Sequence, residues 1–215
     1  MPSQPLETFL FDVDGTLIDS IELILASFRH TMAKHTAHVP PEHLWIATLG
    51  RPLWVQFRSF SDDEEEIDAM TKTYREFNAA HHDRLMRRYP GVSDIVTRLK
   101  DEGKTLGVVT SKNRATAYRG LAHCGLEGLF DDMVAADDIN RHKPDPAPVL
   151  KALDNLAADP ETTLFVGDSP HDIDAGNAAG VRTCAVEWGP FAPSQLEASG
   201  PTYQISLPSE LLTLD

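Results

Sequence analysis

Two aspartates separated by one valine, Asp12 and Asp14, follow the apolar run "TFLF" in the stretch "TFLFDVDGTLIDS" (8–20). Like charges that close repel, and a strand end has no structural need for both. An Asp- and Gly-rich turn is common after a strand, but a turn requires neither two carboxylates nor Thr16 behind Gly15. From average residue usage, D-x-D-G-T arises by chance in roughly a few per thousand chains of this size. The pair has a direct chemical reading. One carboxylate can attack phosphorus and form an aspartyl-phosphate. A second can protonate the leaving oxygen and later deprotonate the hydrolytic water. A Mg²⁺ ion would relieve the repulsion among the carboxylates and a phosphate, since hard cations take oxygen ligands.

Three later stretches offer complementary groups. "VVTSKN" (108–113) ends an apolar run in Thr110, whose hydroxyl and neighbouring N–H can bind a phosphoryl oxygen. "HKPDP" (142–146) places Lys143 before two prolines that stiffen the loop, and an ammonium there would neutralise phosphate charge and steady Asp12. "FVGDSPHD" (165–172) ends another run with Asp168, a candidate metal ligand, and adds Asp172 as a second ligand or a group behind it. Each has a plain structural alternative: a strand-end threonine, a solvated lysine, a helix cap.

These residues need a scaffold that gathers strand ends. Runs that read as strands occur at 8–12, 105–110, 132–136, 163–167 and 182–187, most of them separated by segments of helical length. That alternation predicts an α/β fold, a Rossmann-like parallel sheet with helices on both faces. Such sheets bind ligands beyond the carboxyl ends of their strands. More than ninety residues intervene between the first two strands, and they read as mostly helical. A helix is expected over about 20–35, with Ile21, Ile24, Phe28 and Met32 on one side, and a short one after "VPPEHLW". Another is expected over 61–88, opened by a Ser61–Glu64 capping box and an acidic first turn and closed by Arg84, Arg87 and Arg88. Residues 19–88 therefore read as an inserted helical cap, and residues 1–18 with 89–215 as the core domain.

With these stretches in this order, the chain resembles the haloacid dehalogenase (HAD) superfamily of phosphohydrolases, whose four motifs they match across the whole length. The resemblance implies Asp12 as nucleophile, Asp14 as acid–base group, Thr110 and Lys143 as phosphate-binding groups, and Mg²⁺ held by Asp12, Asp14 and Asp168. The dehalogenases that name the superfamily lack an aspartate at the position of Asp14, so its presence points to an oxygen leaving group. The cap's location is similar to the branch holding phosphoglycolate phosphatases, β-phosphoglucomutases and a bacterial pyrophosphatase. "ASFRHT" (26–31) and "TYREFNAAHHD" (73–83) look most like that pyrophosphatase. The expected function is Mg²⁺-dependent hydrolysis of a small anionic phosphate, phosphoglycolate or pyrophosphate. A sugar phosphate phosphatase or phosphomutase is the alternative, and a non-catalytic phospho-receiver a more distant one. Arg51, in "ATLGRPLW" (47–54), is the candidate for the substrate's non-reacting anionic end.

Composition narrows the rest. A net charge of −14 opposes an extended grip on nucleic acid, and requires local positive charge or a metal to draw in an anion. No apolar run approaches a membrane span, and "MPSQPLET" has no basic or apolar leader region, so a cytoplasmic protein is expected. Cys124 and Cys184 read as buried thiols, and His35, His38, His81 and His82 as surface or structural. Trp45, Trp54, Phe57 and Phe60 read as cap core. Oligomeric state is not legible.

Overall fold

The computed structural model describes residues 4–215. Short apolar runs rich in β-branched and aromatic residues form the strands β1 (Thr8–Phe11), β4 (Thr105–Val109), β5 (Asp132–Val134), β6 (Thr163–Gly167), β7 (Arg182–Val186) and β8 (Tyr203–Ile205). They make one sheet in the order β5-β4-β1-β6-β7-β8, and every neighbouring pair is parallel. The first strand is thus central, with Phe9 opposite Leu106 on one side and Leu164 on the other.

Period-two alternation divides its side chains between the two faces. Phe9 and Phe11 pack with Val92, Val96 and Leu99 of α5 (Val92–Asp101) and Leu121 of α6 (Arg114–His123). Leu10 faces the other way, onto Val149 and Leu153 of α7 (Ala147–Leu156) and Ala175 of α8 (Pro170–Ala179). The short α9 (Pro193–Ala198) follows β7.

Between β1 and β4 the chain makes a two-stranded ribbon, β2 (Ile18–Asp19) antiparallel to β3 (Arg87–Arg88), and four helices lie between its strands. They are α1 (Ile21–His35), α2 (Glu42–Ile46), α3 (Leu53–Phe57) and α4 (Glu64–Leu85). Their shared core centres on Phe28, whose ring lies 5.5 Å from Trp45 and 5.3 Å from both Phe57 and Tyr74. It continues into Ile173, Ala185 and Phe191, so the inserted helices share apolar surface with the sheet side. Trp54 departs from its expected place in that core. It is 42% exposed, under the Arg58 guanidinium at 4.7 Å and edge-on to His142 at 6.5 Å.

Several local expectations are corrected. Asp63 caps α4 by accepting from the Glu65 N–H at 3.0 Å, while Ser61 accepts from the Asp63 N–H in the preceding turn, so the Ser61–Glu64 box does not form. The helix ends at Leu85 because Arg87 and Arg88 pair with Asp19 and Ile18 instead. The single short helix is two, α2 and α3, parted by a turn at Gly50. Other expectations hold: Cys124 and Cys184 are free and buried, and His35 is structural, joining Glu66 and Thr73 at 2.8 Å each. No helix among the described residues is long and apolar enough to cross a membrane.

Phe28 is fully buried and touches three other rings of the inserted core. Phe28→Ala should cost about 3–5 kcal/mol of unfolding free energy, measured by urea titration. A loss under about 1 kcal/mol would mean that the site collapses freely and that this cluster does not hold the four helices together.

Candidate active site

Because β1 lies between β4 and β6, the residues that follow these three strands converge at one edge of the sheet. Asp12 follows β1, Thr110 follows β4 and Asp168 follows β6, and all three are buried. Lys143 enters from the loop before α7 and is 2% exposed. Its Nζ lies 2.8 Å from Asp12 Oδ1 and 2.6 Å from Asp172 Oδ1, and donates to the Val109 carbonyl at 3.3 Å. Asp172 sits in the first turn of α8, where its other oxygen accepts from the Ser169 N–H and hydroxyl at 3.0 and 2.6 Å. Ser169 and Asp172 thereby form a capping box. Both oxygens of Asp172 are occupied within the protein, which suits a group that orients Lys143.

Asp12, Asp168 and Asp172 offer carboxylate oxygens all within 4.8 Å of one another. Asp168 Oδ1 accepts from the Thr16 hydroxyl at 2.7 Å. Gly15, at φ +84°, leaves room for that carboxylate, since a Cβ there would lie 2.3 Å from Asp168 Oδ2. The D-G-T run is explained by this contact: the turn after Asp12 must pass over a second buried carboxylate. Asp14 stands outside the acidic group. Its Oδ1 receives Lys112 Nζ and the Ser20 hydroxyl, each at 2.5 Å, and it is partly exposed.

Burial is the main force on the charges. It pushes the Asp12 carboxyl up to about 7, with Lys143 opposing and Asp172 and Asp14 adding to the rise. Asp168 is raised well above the usual carboxylate range by burial, then by Asp172 and Asp12. Burial alone would depress Lys143, but Asp12 and Asp172 more than offset it and hold the ammonium charged.

A cavity of about 480 Å³ opens over these groups, between the sheet edge and the inserted helices. Asp12, Asp14, Thr110 and Asp168 line it from the sheet side, and Arg51, Arg75, Asn78 and His82 from the inserted segment. The Ser111 hydroxyl donates to the Gly50 carbonyl at 2.6 Å and closes the α2–α3 turn onto the loop after β4. His82, expected as a surface or structural group, is 1% exposed; its Nδ1 lies 2.7 Å from Asp83 and its Nε2 has no partner.

Sequence reasoning missed Lys112 and Ser20, and marked Thr16 as unexplained by a turn without finding its partner, Asp168. Lys112 was within reach, because the strand-end argument that selected Thr110 applies to the loop "TSKN" as a whole. Ser20 gave no signal, since it lies six residues beyond the carboxylate it contacts.

The geometry can be set beside known proteins. The chain is similar to pyrophosphatase PpaX of Anoxybacillus flavithermus, 40% identical over 209 residues that cover 97% of this chain and 96% of the relative. It matches pyrophosphatase PpaX of Bacillus cereus (strain G9842) equally, with 40% identity and the same coverage. Among solved structures, a predicted phosphatase from Clostridium acetobutylicum superposes with a TM-score of 0.87 at 25% identity, covering 98% of this chain and 100% of that one. A predicted phosphoglycolate phosphatase from Haemophilus somnus 129pt has a TM-score of 0.88 at 24% identity over 97% of each chain, a likeness of fold alone. The family described as haloacid dehalogenase-like hydrolase matches residues 9–186, a span that holds Asp12, Thr110, Lys143, Asp168 and Asp172 together with the inserted helices. The chain belongs to the haloacid dehalogenase-like hydrolase family.

Proposed function

We propose that the protein is a Mg²⁺-dependent inorganic pyrophosphatase that works through an aspartyl-phosphate on Asp12. The observation that carries this reading is the placement of Asp12 on the cavity wall, with one oxygen on Lys143 and with Thr110 and Asp14 lining the same space. Named relatives at 40% identity over nearly the whole chain support pyrophosphate over phosphoglycolate as the substrate.

In this reading an Asp12 oxygen attacks one phosphorus, the P–O bond to the bridging oxygen breaks, and orthophosphate leaves. Thr110 accepts from the Lys112 N–H at 3.2 Å, so its own hydroxyl proton is free for a phosphoryl oxygen. Lys143 balances charge on Asp12 and on the phosphoryl group. Asp14 protonates the leaving oxygen and then takes a proton from the water that hydrolyses the acyl phosphate. For these roles it must exchange its contact with Lys112 for one with substrate.

The donor set fits a hard cation. Three buried carboxylates share one ammonium, all offered atoms are oxygen, and both Asp172 oxygens are already engaged. Asp12 and Asp168 would hold the ion, with residue 14 completing the set expected from the resemblance and Asp172 behind it. Mg²⁺ there would supply charge neutralisation at the attacking carboxylate and the phosphate.

Residues 19–88 act in this proposal as a cap on a core of residues 1–18 and 89–215, moving on the β2–β3 ribbon and shut where Ser111 meets Gly50. Closure excludes bulk water from the acyl phosphate. Arg51 then faces the substrate's second phosphate. The substrate is a small phosphorylated molecule.

Three measurements test the proposal. Pyrophosphate should be hydrolysed with Mg²⁺ at higher kcat/KM than phosphoglycolate, and Asp12→Asn should lower kcat at least about a thousandfold. Faster phosphoglycolate turnover would reassign the substrate, and an active Asp12→Asn protein would remove the nucleophile. Asp14→Ala should cost about 10²–10⁴-fold on a substrate with a poor leaving group and less on p-nitrophenyl phosphate. Equal losses would take away its role as acid. The third concerns stability without metal. A carboxyl whose folded value is about 7, against 3.8 ordinarily, contributes stability that is complete below about pH 4 and lost as pH rises through 7. In chelator, Asp12→Asn should therefore melt above wild type at pH 8, by a margin that shrinks toward pH 5 and closes when Mg²⁺ is added. A margin independent of pH would show that the Asp12 charge is not strained.

A further inference from the structure

We propose that Arg75, on α4, is a second group that holds the substrate's non-reacting anionic end, opposite the loop that carries Thr110. The inference rests on the pyrophosphatase reading for the identity of that anion. It starts from which cations around the cavity remain unpaired.

Four basic side chains line the cavity: Arg51, Arg75, Lys112 and Arg119. Two of them are engaged. Lys112 lies 2.5 Å from Asp14, and Arg119 lies 2.9 Å from Asp83 and donates to the Ala79 carbonyl at 3.2 Å. Among the described residues the Arg51 guanidinium has no polar partner within hydrogen-bond distance, its main chain alone being engaged, by Gln56 and Thr48. Arg75 reaches one, Asn113 Oδ1 at 3.5 Å, the outer limit for a hydrogen bond. A shortage of acids does not explain this, because the chain holds 33 acidic against 19 basic residues. Away from the cavity, Arg29, Arg58, Arg98 and Arg114 each meet a carboxylate at 2.6–2.9 Å, while Arg87, Arg88 and Arg182 donate to main-chain carbonyls instead. Two guanidiniums without carboxylates at one cavity leave positive charge where an anion would enter.

Arg75 is exposed, but the placement of its backbone is constrained. Its neighbour Tyr74 is buried in the inserted core, and Asn78, one turn on, is buried and donates to the Ser27 hydroxyl at 3.3 Å. These contacts fix the rotation of α4 and keep Arg75 on the cavity rim. Asn113, its partner at 3.5 Å, is three residues beyond Thr110. The guanidinium therefore spans from the inserted helix to the phosphoryl-binding loop, and Arg51 approaches from the α2–α3 turn. A fork with several N–H donors suits the oxygens of a second phosphate better than an ammonium would.

The alternative is a latch, in which Arg75 only ties α4 to Asn113. Calorimetry with Mg²⁺ and two probes separates them: imidodiphosphate, which carries the second phosphate but resists hydrolysis, and orthophosphate, which lacks it. Arg75→Ala should weaken imidodiphosphate binding about ten- to a hundredfold and orthophosphate binding much less. Arg75→Lys should restore part of the loss, and Asn113→Ala should cost little. Equal losses on both probes, or equal losses from Arg75→Ala and Asn113→Ala, would establish the latch and overturn the proposal. So would unchanged imidodiphosphate affinity in Arg75→Ala. Wild-type turnover of pyrophosphate is scored separately. If it is absent the pyrophosphatase reading falls, while the binding comparison still decides the role of Arg75.

Discussion

Three carboxylates cannot share a dry site at the end of a sheet unless something opposes their repulsion, and here the opposing charge is the Lys143 ammonium. It lies within 2.8 Å of both Asp12 and Asp172 and is itself almost wholly buried. Much of the surrounding structure serves this arrangement. The Ser169–Asp172 capping box sets the direction in which Asp172 presents its other oxygen to Lys143, and the Val109 carbonyl accepts a third hydrogen bond from the ammonium. Even so, burial, together with the neighbouring carboxylates, leaves Asp12 and Asp168 displaced upward in pKa despite the ammonium.

The inserted helices supply the positive side of the cavity. The sheet edge presents Asp12, Asp14 and Asp168, while Arg51 and Arg75 come from the insertion. The cavity lies between elements joined by a two-residue ribbon, a few side-chain contacts and the apolar core they share at Ile173, Ala185 and Phe191. Because the overall charge of −14 repels anions at long range, any anion entering the cavity would depend on this local polarity.

The fold and the acidic end of the site were legible because they rest on strong local signals. Strand runs alternating with helical segments announce a parallel sheet, and carboxylates placed at strand ends must meet if those strands are neighbours. Thr110 and Asp168 became visible in that way, and Lys143 through the two prolines that stiffen its loop. What stayed hidden was set by contacts distant in sequence or by very short elements. The ribbon of Ile18–Asp19 with Arg87–Arg88 is too short to show a period, so the two arginines read as the end of a helix. Ser61 looked like a cap, but Asp63, two residues on, offered the better acceptor. Trp54 read as core from its spacing, yet lies at the mouth of the cavity, where Arg58 and His142 flank it. Lys112 shared the strand-end loop that revealed Thr110, but its particular partner, a carboxylate 98 residues earlier, could not be read from the sequence.

The strand order also governs how the chain comes together during synthesis. The first strand made is the central one, and one of its two neighbours, β6, begins at Thr163. At about 5–20 residues per second, the ribosome needs roughly ten to thirty seconds to deliver it. Throughout that interval one edge of β1, with Phe9, Leu10 and Phe11, has no strand to pair with. Contacts of such long sequence separation form slowly in any case. The nascent chain therefore carries an apolar, unpaired edge for most of its time on the ribosome, a natural binding site for chaperones and the point most exposed to misassembly.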